Sequence, residues 1–308
     1  MGRYVARRLL QMIPVFIGTT FLIFLMVYAL PGDPLKAMWG DRPADPAQLA
    51  QMRHEYGFDL PWWQQYLHYL WNLIHGNLGK TFGGRAVVDV LKETFPVTIR
   101  LALMAFAVEA VLGLLLGMVG GLWRGRWADK VVLVVTLLLI SIPVFVLGFI
   151  FQTVIGINLG WVTPTVQDST NLGQLILPAV VLGSVSLAYV ARLTRTSVAE
   201  NLSADYMRTA VAKGLPKRRV ITNHLMRNSL IPVVTFLGTD LGALMGGAMV
   251  TEGIFNVKGV GLTLYKAITA SESPTVVGIV SVLVVVYLFA SLIVDLLYAV
   301  LDPRIRYA

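Results

Sequence analysis

Six stretches of this 308-residue chain are long and apolar enough to cross a lipid bilayer, and that feature leaves few folds open. A helix needs roughly 20 apolar residues to span about 30 Å of hydrocarbon. The stretches are residues 9–30, 96–122, 131–155, 173–191, 230–251 and 275–300. The fourth is the most interrupted, by Pro178, Ser184 and Ser186. Proline is tolerated in a spanning helix where neighbours satisfy the freed carbonyl. The expected fold is therefore an all-α membrane protein with six transmembrane helices. Composition points the same way: 56% of residues are hydrophobic and 14% charged, whereas an ordinary soluble domain carries about 25% charged residues. A soluble domain and a disordered chain are both excluded on that ground.

Arg3, Arg7 and Arg8 precede the first stretch as they would a signal peptide. That stretch is longer than the about 7–15 residues of a signal core, and Ala29-Leu30-Pro31 is a poor cleavage site, so a retained helix is expected. The chain has no cysteine. Disulfide scaffolds, Cys-ligated zinc, iron–sulfur clusters and a cysteine nucleophile are thereby ruled out.

The net charge of +8 is better explained by topology than by a nucleic-acid partner. Arg124, Arg126 and Lys130 occupy the loop at 123–130. Arg192, Arg195, Arg208, Lys213, Lys217, Arg218, Arg219 and Arg227 crowd 192–229, and Arg304 and Arg306 lie in the tail. The loops on the other side hold fewer cations for their length, and 156–172 holds none. Short loops rich in Lys and Arg stay cytoplasmic, so both termini are expected inside. The division expected from these patterns is an N-terminal transmembrane helix at 1–30 and an extracytoplasmic region at 31–95. A five-helix core at 96–300 follows, with a cytoplasmic segment at 192–229, and then a tail at 301–308. The external region is rich in proline and aromatic residues. It reads equally as an interfacial aromatic belt and as a cap or docking surface.

Within 192–229 the pattern predicts a short amphipathic helix over about 204–213. Ser203 stands at its N-cap, Asp205 in its first turn, Gly214 just past its end, and Pro216 beyond. Tyr206, Met207, Ala210 and Val211 share one face, and Arg208, Thr209, Ala212 and Lys213 share the other. Periodicity leaves three roles open: a helix lying on anionic lipid, a connector, and a docking helix for a cytoplasmic partner.

The run Asp205-Tyr206-Met207-Arg208-Thr209-Ala210-Val211-Ala212-Lys213-Gly214 resembles the cytoplasmic loop of ABC-importer permeases. His224, Arg227, Asn228 and Pro232 continue it in the manner of the dipeptide/oligopeptide/nickel subgroup. Other segments agree in order. They are Pro31-Gly32-Asp33-Pro34, Tyr56-Gly57-Phe58-Asp59-Leu60-Pro61, Gln65-Tyr66, Gly76-Asn77-Leu78-Gly79, Phe255-Asn256-Val257-Lys258-Gly259-Val260-Gly261, Asp295-Leu296-Leu297-Tyr298-Ala299 and Asp302-Pro303-Arg304-Ile305-Arg306. Arg208-Thr209-Ala210 stands where the generic family loop has Glu-Ala-Ala, and Lys258 stands where the family often has proline.

The resemblance implies a type I ABC importer permease fold and a chain in the cell membrane. It also implies a second homologous permease subunit, two cytoplasmic ATPase subunits and an extracytoplasmic peptide-binding protein. By the same resemblance Asp205, Tyr206, Arg208, Thr209, Ala210, Lys213 and Gly214 form a coupling helix that docks on an ATPase. The chain then carries no cofactor, ATP and Mg being bound by the partner ATPases, and the transported solute is a short peptide.

Two acids fall mid-span, Glu109 in the second stretch and Asp240 in the fifth. A charge at the bilayer centre costs at least about 2.5–3.5 kcal/mol, so each should face the bundle interior or water. Each reads either as pathway lining or as a buried contact with Arg100, Thr239 or a partner helix. Glycines repeat every fourth residue at Gly113, Gly117 and Gly121, and again at Gly238, Gly242 and Gly246. Such ladders let helices approach closely, either as static packing or as a moving seam. Asp240 makes the second ladder the better gate.

Gly76-Asn77-Leu78-Gly79-Lys80-Thr81 ends like a phosphate loop, but Ile74 stands where the first glycine is required. The four histidines are scattered, so neither an ATPase site nor a metal site is expected. The alternative from another class is an ion-coupled secondary transporter using Glu109 and Asp240. The absence of an internal repeat weighs against it, as does the otherwise idle cytoplasmic helix.

Overall fold

The computed structural model describes residues 2–29, 45–55 and 59–301. The motifs at 31–34 and 302–306, and residues 56–58 of a third, lie outside the described residues, as does the tail at 302–308. The helices, in chain order, are α1 (Gly2–Ala29), α2 (Pro46–Glu55), α3 (Trp62–Ile74), α4 (Val87–Leu122), α5 (Trp127–Ser141) and α6 (Val144–Asn158). They continue as α7 (Leu172–Leu202), α8 (Asp205–Ala212), α9 (Lys217–Ser229), α10 (Ile231–Phe255), α11 (Val260–Thr269) and α12 (Ser273–Leu301).

Four of these are long and apolar enough to cross a membrane unaided: α1, α4, α7 and α12. Two bent pairs, α5 with α6 and α9 with α10, raise the number among the described residues to six where each pair counts as one span. The stretch 131–155, expected as one run, is broken by a bend of 108°. Proline causes it. Pro143 has no amide to give the helix, and the residue before it is pushed out of the helical region. Ile142 accordingly sits at φ −95°, ψ 125°. The fourth stretch departs the other way. α7 is continuous despite Pro178, and it runs on through Arg192 and Arg195 to Leu202. Asn171 caps its start, its side chain accepting from the Gly173 amide at 2.9 Å.

The chain forms two compact units. The first comprises Met1–Val97 and Lys258–Ala308, so the last part of the expected 96–300 core packs with the N-terminal segment. Within this unit α1 and α11 both lie against α12. α3 reaches deep along α1. The Tyr66 hydroxyl donates to the Ile17 carbonyl at 2.9 Å and lies 3.1 Å from the Thr20 hydroxyl. Phe21 meets the Tyr66 ring edge-on at 5.2 Å, and Tyr69 is hydrogen-bonded to Ser281 on α12. Ile17 lies mid-way along the apolar part of α1. Part of the expected aromatic belt is therefore internal packing, whereas Trp62, Trp63 and Trp71 remain exposed.

The second unit is Thr98–Val257, and α7 is its axis, touching α5, α6 and α10. The first glycine ladder packs on it. A Cβ on Gly113 would stand 2.7 Å from Val190, one on Gly117 2.5 Å from the Ala191 carbonyl, and one on Gly121 2.7 Å from Val198. That ladder is packing within the chain.

At one end of this bundle Asp129 takes the Arg195 guanidinium through both carboxylate oxygens, the Nη2–Oδ2 bond measuring 2.9 Å. Asp129 also accepts the Gly125 amide at 2.8 Å. The carboxylate is 3% exposed and the guanidinium side chain 19%. Removing one partner of a buried pair leaves an uncompensated charge and costs about 3–5 kcal/mol. Since Arg195 keeps some solvent, Asp129→Ala is expected to lower stability by about 3 kcal/mol. A thermal melt of the purified protein would measure it. A melt unchanged from wild type would show that the pair is not structural.

Candidate functional site

The amphipathic helix expected in the basic segment is present as α8. Its seating is apolar. Met207 and Ala210 are buried in a cluster with Val198 of α7 and with Val220 and Leu225 of α9, and Leu122, Tyr206, Leu215 and Ile221 pack around it. The Tyr206 hydroxyl donates to Asn201 Oδ1 at 2.5 Å, and Asn201 in turn donates to the Ser197 carbonyl at 2.8 Å. Gly214 closes the helix at φ +72°, a conformation costly for any residue with a Cβ. Its amide donates to the Val211 carbonyl at 2.9 Å.

The cap is not the expected one. Ser203 belongs to the end of α7, where its hydroxyl donates to the Glu200 carbonyl at 2.9 Å. Ala204 takes the N-cap position without a side-chain cap. The serine is one residue too early because α7 continues to Leu202.

The seven residues assigned to this helix divide into two sets. Asp205, Arg208, Thr209, Lys213 and Gly214 are exposed. Ala210 is turned inward and Tyr206 is half-buried, so these two hold the helix to its own chain. Val211, expected on the apolar face, is 64% exposed. The outward face is thus a mixed surface of Arg208, Thr209, Val211, Ala212 and Lys213, bound at its back to the ends of two long helices. Arg208 reaches Asp205 at 3.8 Å in a fully solvated pair, which contributes little.

The second candidate locus lies within the bundle. Glu109 on α4 is fully buried, and neither carboxylate oxygen has a hydrogen-bond partner among the described residues. Asp240 on α10 likewise carries a buried Oδ2 with no partner. Asp240 and Ser186 are polar neighbours of Glu109. The contacts weighed for these acids are not made by Arg100 or Thr239. Both are exposed, and Thr239 donates to the Phe236 carbonyl at 2.8 Å. Of the second ladder, Gly242 is buried, Gly238 half-buried and Gly246 exposed with open space around it.

A third acid, Glu252 of α10, was not singled out from the sequence. It is fully buried and accepts from the Thr98 hydroxyl at 2.6 Å. Its place near the end of an apolar run was the available signal. The Asp129–Arg195 pair was missed as well, because 66 residues separate its partners.

Residues 1–102 match the N-terminal model of binding-protein-dependent transport system membrane components, and residues 111–307 match the model of the binding-protein-dependent transport system inner membrane component. The chain belongs to that family. This transport component is a multi-pass protein of the inner membrane. The permease is 38% identical to the di/tripeptide transport system permease protein DppB of Pseudomonas aeruginosa (strain UCBPP-PA14), over 99% of this chain and 98% of that one. It is 36% identical to the dipeptide transport system permease protein DppB of Escherichia coli (strain K12), over 100% and 99%. It is 35% identical to the glutathione transport system permease protein GsiC of the same strain, over the full length of both. All three names denote carriers of short peptides, and the match is end to end.

Proposed function

We propose that this permease is one of two homologous membrane subunits of an ATP-driven importer of short peptides, and that α8 is its contact with a cytoplasmic ATPase. An extracytoplasmic binding protein delivers the peptide. ATP and Mg bind to the ATPase subunits, and this chain hydrolyses nothing itself. Two relatives named for di- or tripeptides and one named for glutathione support the substrate class.

The observation that carries the coupling role is the two-sidedness of α8. Its back is fixed by Met207 and Ala210, so a force on its front moves α7 and α9 with it. Only a partner with different affinity for two conformations can shift their balance. The ATPase pair, closed by nucleotide, is that partner. Inside the bundle Glu109 and Asp240, with the ladder Gly238, Gly242 and Gly246, line or gate the peptide route. The buried carboxylate of Glu109 and the buried Oδ2 of Asp240 are costly unless a proton or a cationic group meets them. The terminal ammonium of a peptide is such a group.

The test is an affinity isolation from native membrane. A second permease and the ATPases should accompany the wild-type chain. Replacing Arg208 and Lys213 with glutamate should release the ATPases while the sister permease stays. Isolation of the chain alone would end this reading, as would ATPases retained by the charge-reversed variant.

A further inference from the structure

A cleft of about 730 Å³ opens between the flank of α8, the start of α9 and the ends of α4 and α7. Leu122, Trp123, Leu202 and Ile221 give it an apolar wall, and Arg208 and Lys217 give it two cations. Its position is informative. Leu122 and Leu202 are the final residues of two membrane-crossing helices. Leu122 also ends the apolar run of α4, with Arg124 and Arg126 close behind it, so the α4 side of the cleft lies where hydrocarbon gives way to lipid headgroups. Trp123 at 45% exposure suits that depth, since tryptophan gathers at the membrane–water boundary. Arg124, Arg126, Arg218 and Arg219 are exposed on the same two segments.

We propose that this cleft binds an anionic phospholipid of the cytoplasmic leaflet, with the phosphate at Lys217 and an acyl chain along Leu122, Leu202 and Ile221. An apolar wall ending in cations matches the two halves of such a molecule, and basic pockets between helices on the cytoplasmic side bind anionic headgroups. A protein partner would leave the long apolar wall facing lipid from beside it. A soluble anion would leave it with nothing to cover it.

The bound lipid forms one side of the seat of α8, because Met207, which anchors that helix, also lines the cleft. Anionic lipid is thereby expected to steady the coupling helix. Headgroup attraction per cation corresponds to about a fivefold change in affinity.

The experiment uses the whole transporter, purified with its partners in detergent. It is supplied with equal amounts of phosphatidylglycerol and phosphatidylcholine, and retained lipids are counted by native mass spectrometry. One phosphatidylglycerol should be retained in preference to phosphatidylcholine. Lys217→Gln should weaken that retention about fivefold, Lys217→Arg should restore it, and Trp123→Ala should weaken it without any change of charge. Lys217 is chosen because Arg208 also stands on the outward face of α8. Equal retention of the two lipids would overturn the proposal. So would phosphatidylglycerol retention that ignores both Lys217→Gln and Trp123→Ala. Retention that appears only after the ATPases are stripped away would also overturn it, by assigning the cleft to the ATPase.

Discussion

Gly117→Ala should destabilise the permease, although glycine to alanine in a helix interior ordinarily adds about 0.5–1 kcal/mol of stability. Space decides the sign. A Cβ on Gly117 would lie 2.5 Å from the Ala191 carbonyl oxygen and press on the Thr194 side chain as well. The carbonyl is backbone of α7 and cannot rotate aside, so α4 and α7 must separate. Overpacking of this kind costs about 1–3 kcal/mol and occasionally more, which outweighs the propensity gain. Gly117→Leu should leave little folded protein. Gly246→Ala is the matched control, since a Cβ there meets open space, and the propensity term should act alone. Thermal midpoints of the purified transporter, followed by size-exclusion, would measure all three. Gly117→Ala as stable as wild type would mean that the α4–α7 seam is looser than described. A loss at Gly246→Ala would mean that the second ladder packs on the sister subunit.

The two ladders show where sequence reading stops. Both have the same four-residue spacing, and the sequence offered packing or a moving seam for each. Spacing says that two backbones can approach closely. It does not say which helix approaches, because that depends on partners dozens of residues away. Hydrophobic run length, by contrast, is a local quantity set by bilayer thickness, so the long apolar stretches were visible at once. The break at Pro143 was equally local, but it was submerged in a run apolar on both sides. The amphipathic helix was legible within a residue at each end, since Asp205 and Gly214 are local signals. Its cap was misassigned because α7 runs eleven residues past the expected end at Ala191, into a basic segment read as loop. Ala210 shows the same limit. Its small size is visible in sequence, but its inward aim is fixed by Val198, Val220 and Leu225, which arrive from two other helices.

That inward aim gives the other large effect. Ala210→Glu should both destabilise the permease and abolish ATP-driven transport. Ala210 is 4% exposed in an apolar cluster. An unpaired charge there costs about 3–5 kcal/mol, or forces α8 off its seat to reach water. Thr209→Glu adds the same charge one residue away on the exposed face, where the cost to folding should be within about 0.5 kcal/mol. The pair separates two roles that transport alone would confuse. If α8 is a lever, Thr209→Glu should weaken ATPase binding while the thermal midpoint stays put. Ala210→Glu should lose both, and binding should not return when the midpoint is raised by stabilising lipid or ligand. Melting curves and ATPase co-purification on the two variants, side by side, are the measurement. If Ala210→Glu melted like wild type, the buried seat would be wrong. If it melted early but still retained ATPase and transported peptide, α8 would be a connector, and the force from nucleotide would have to enter the permease elsewhere.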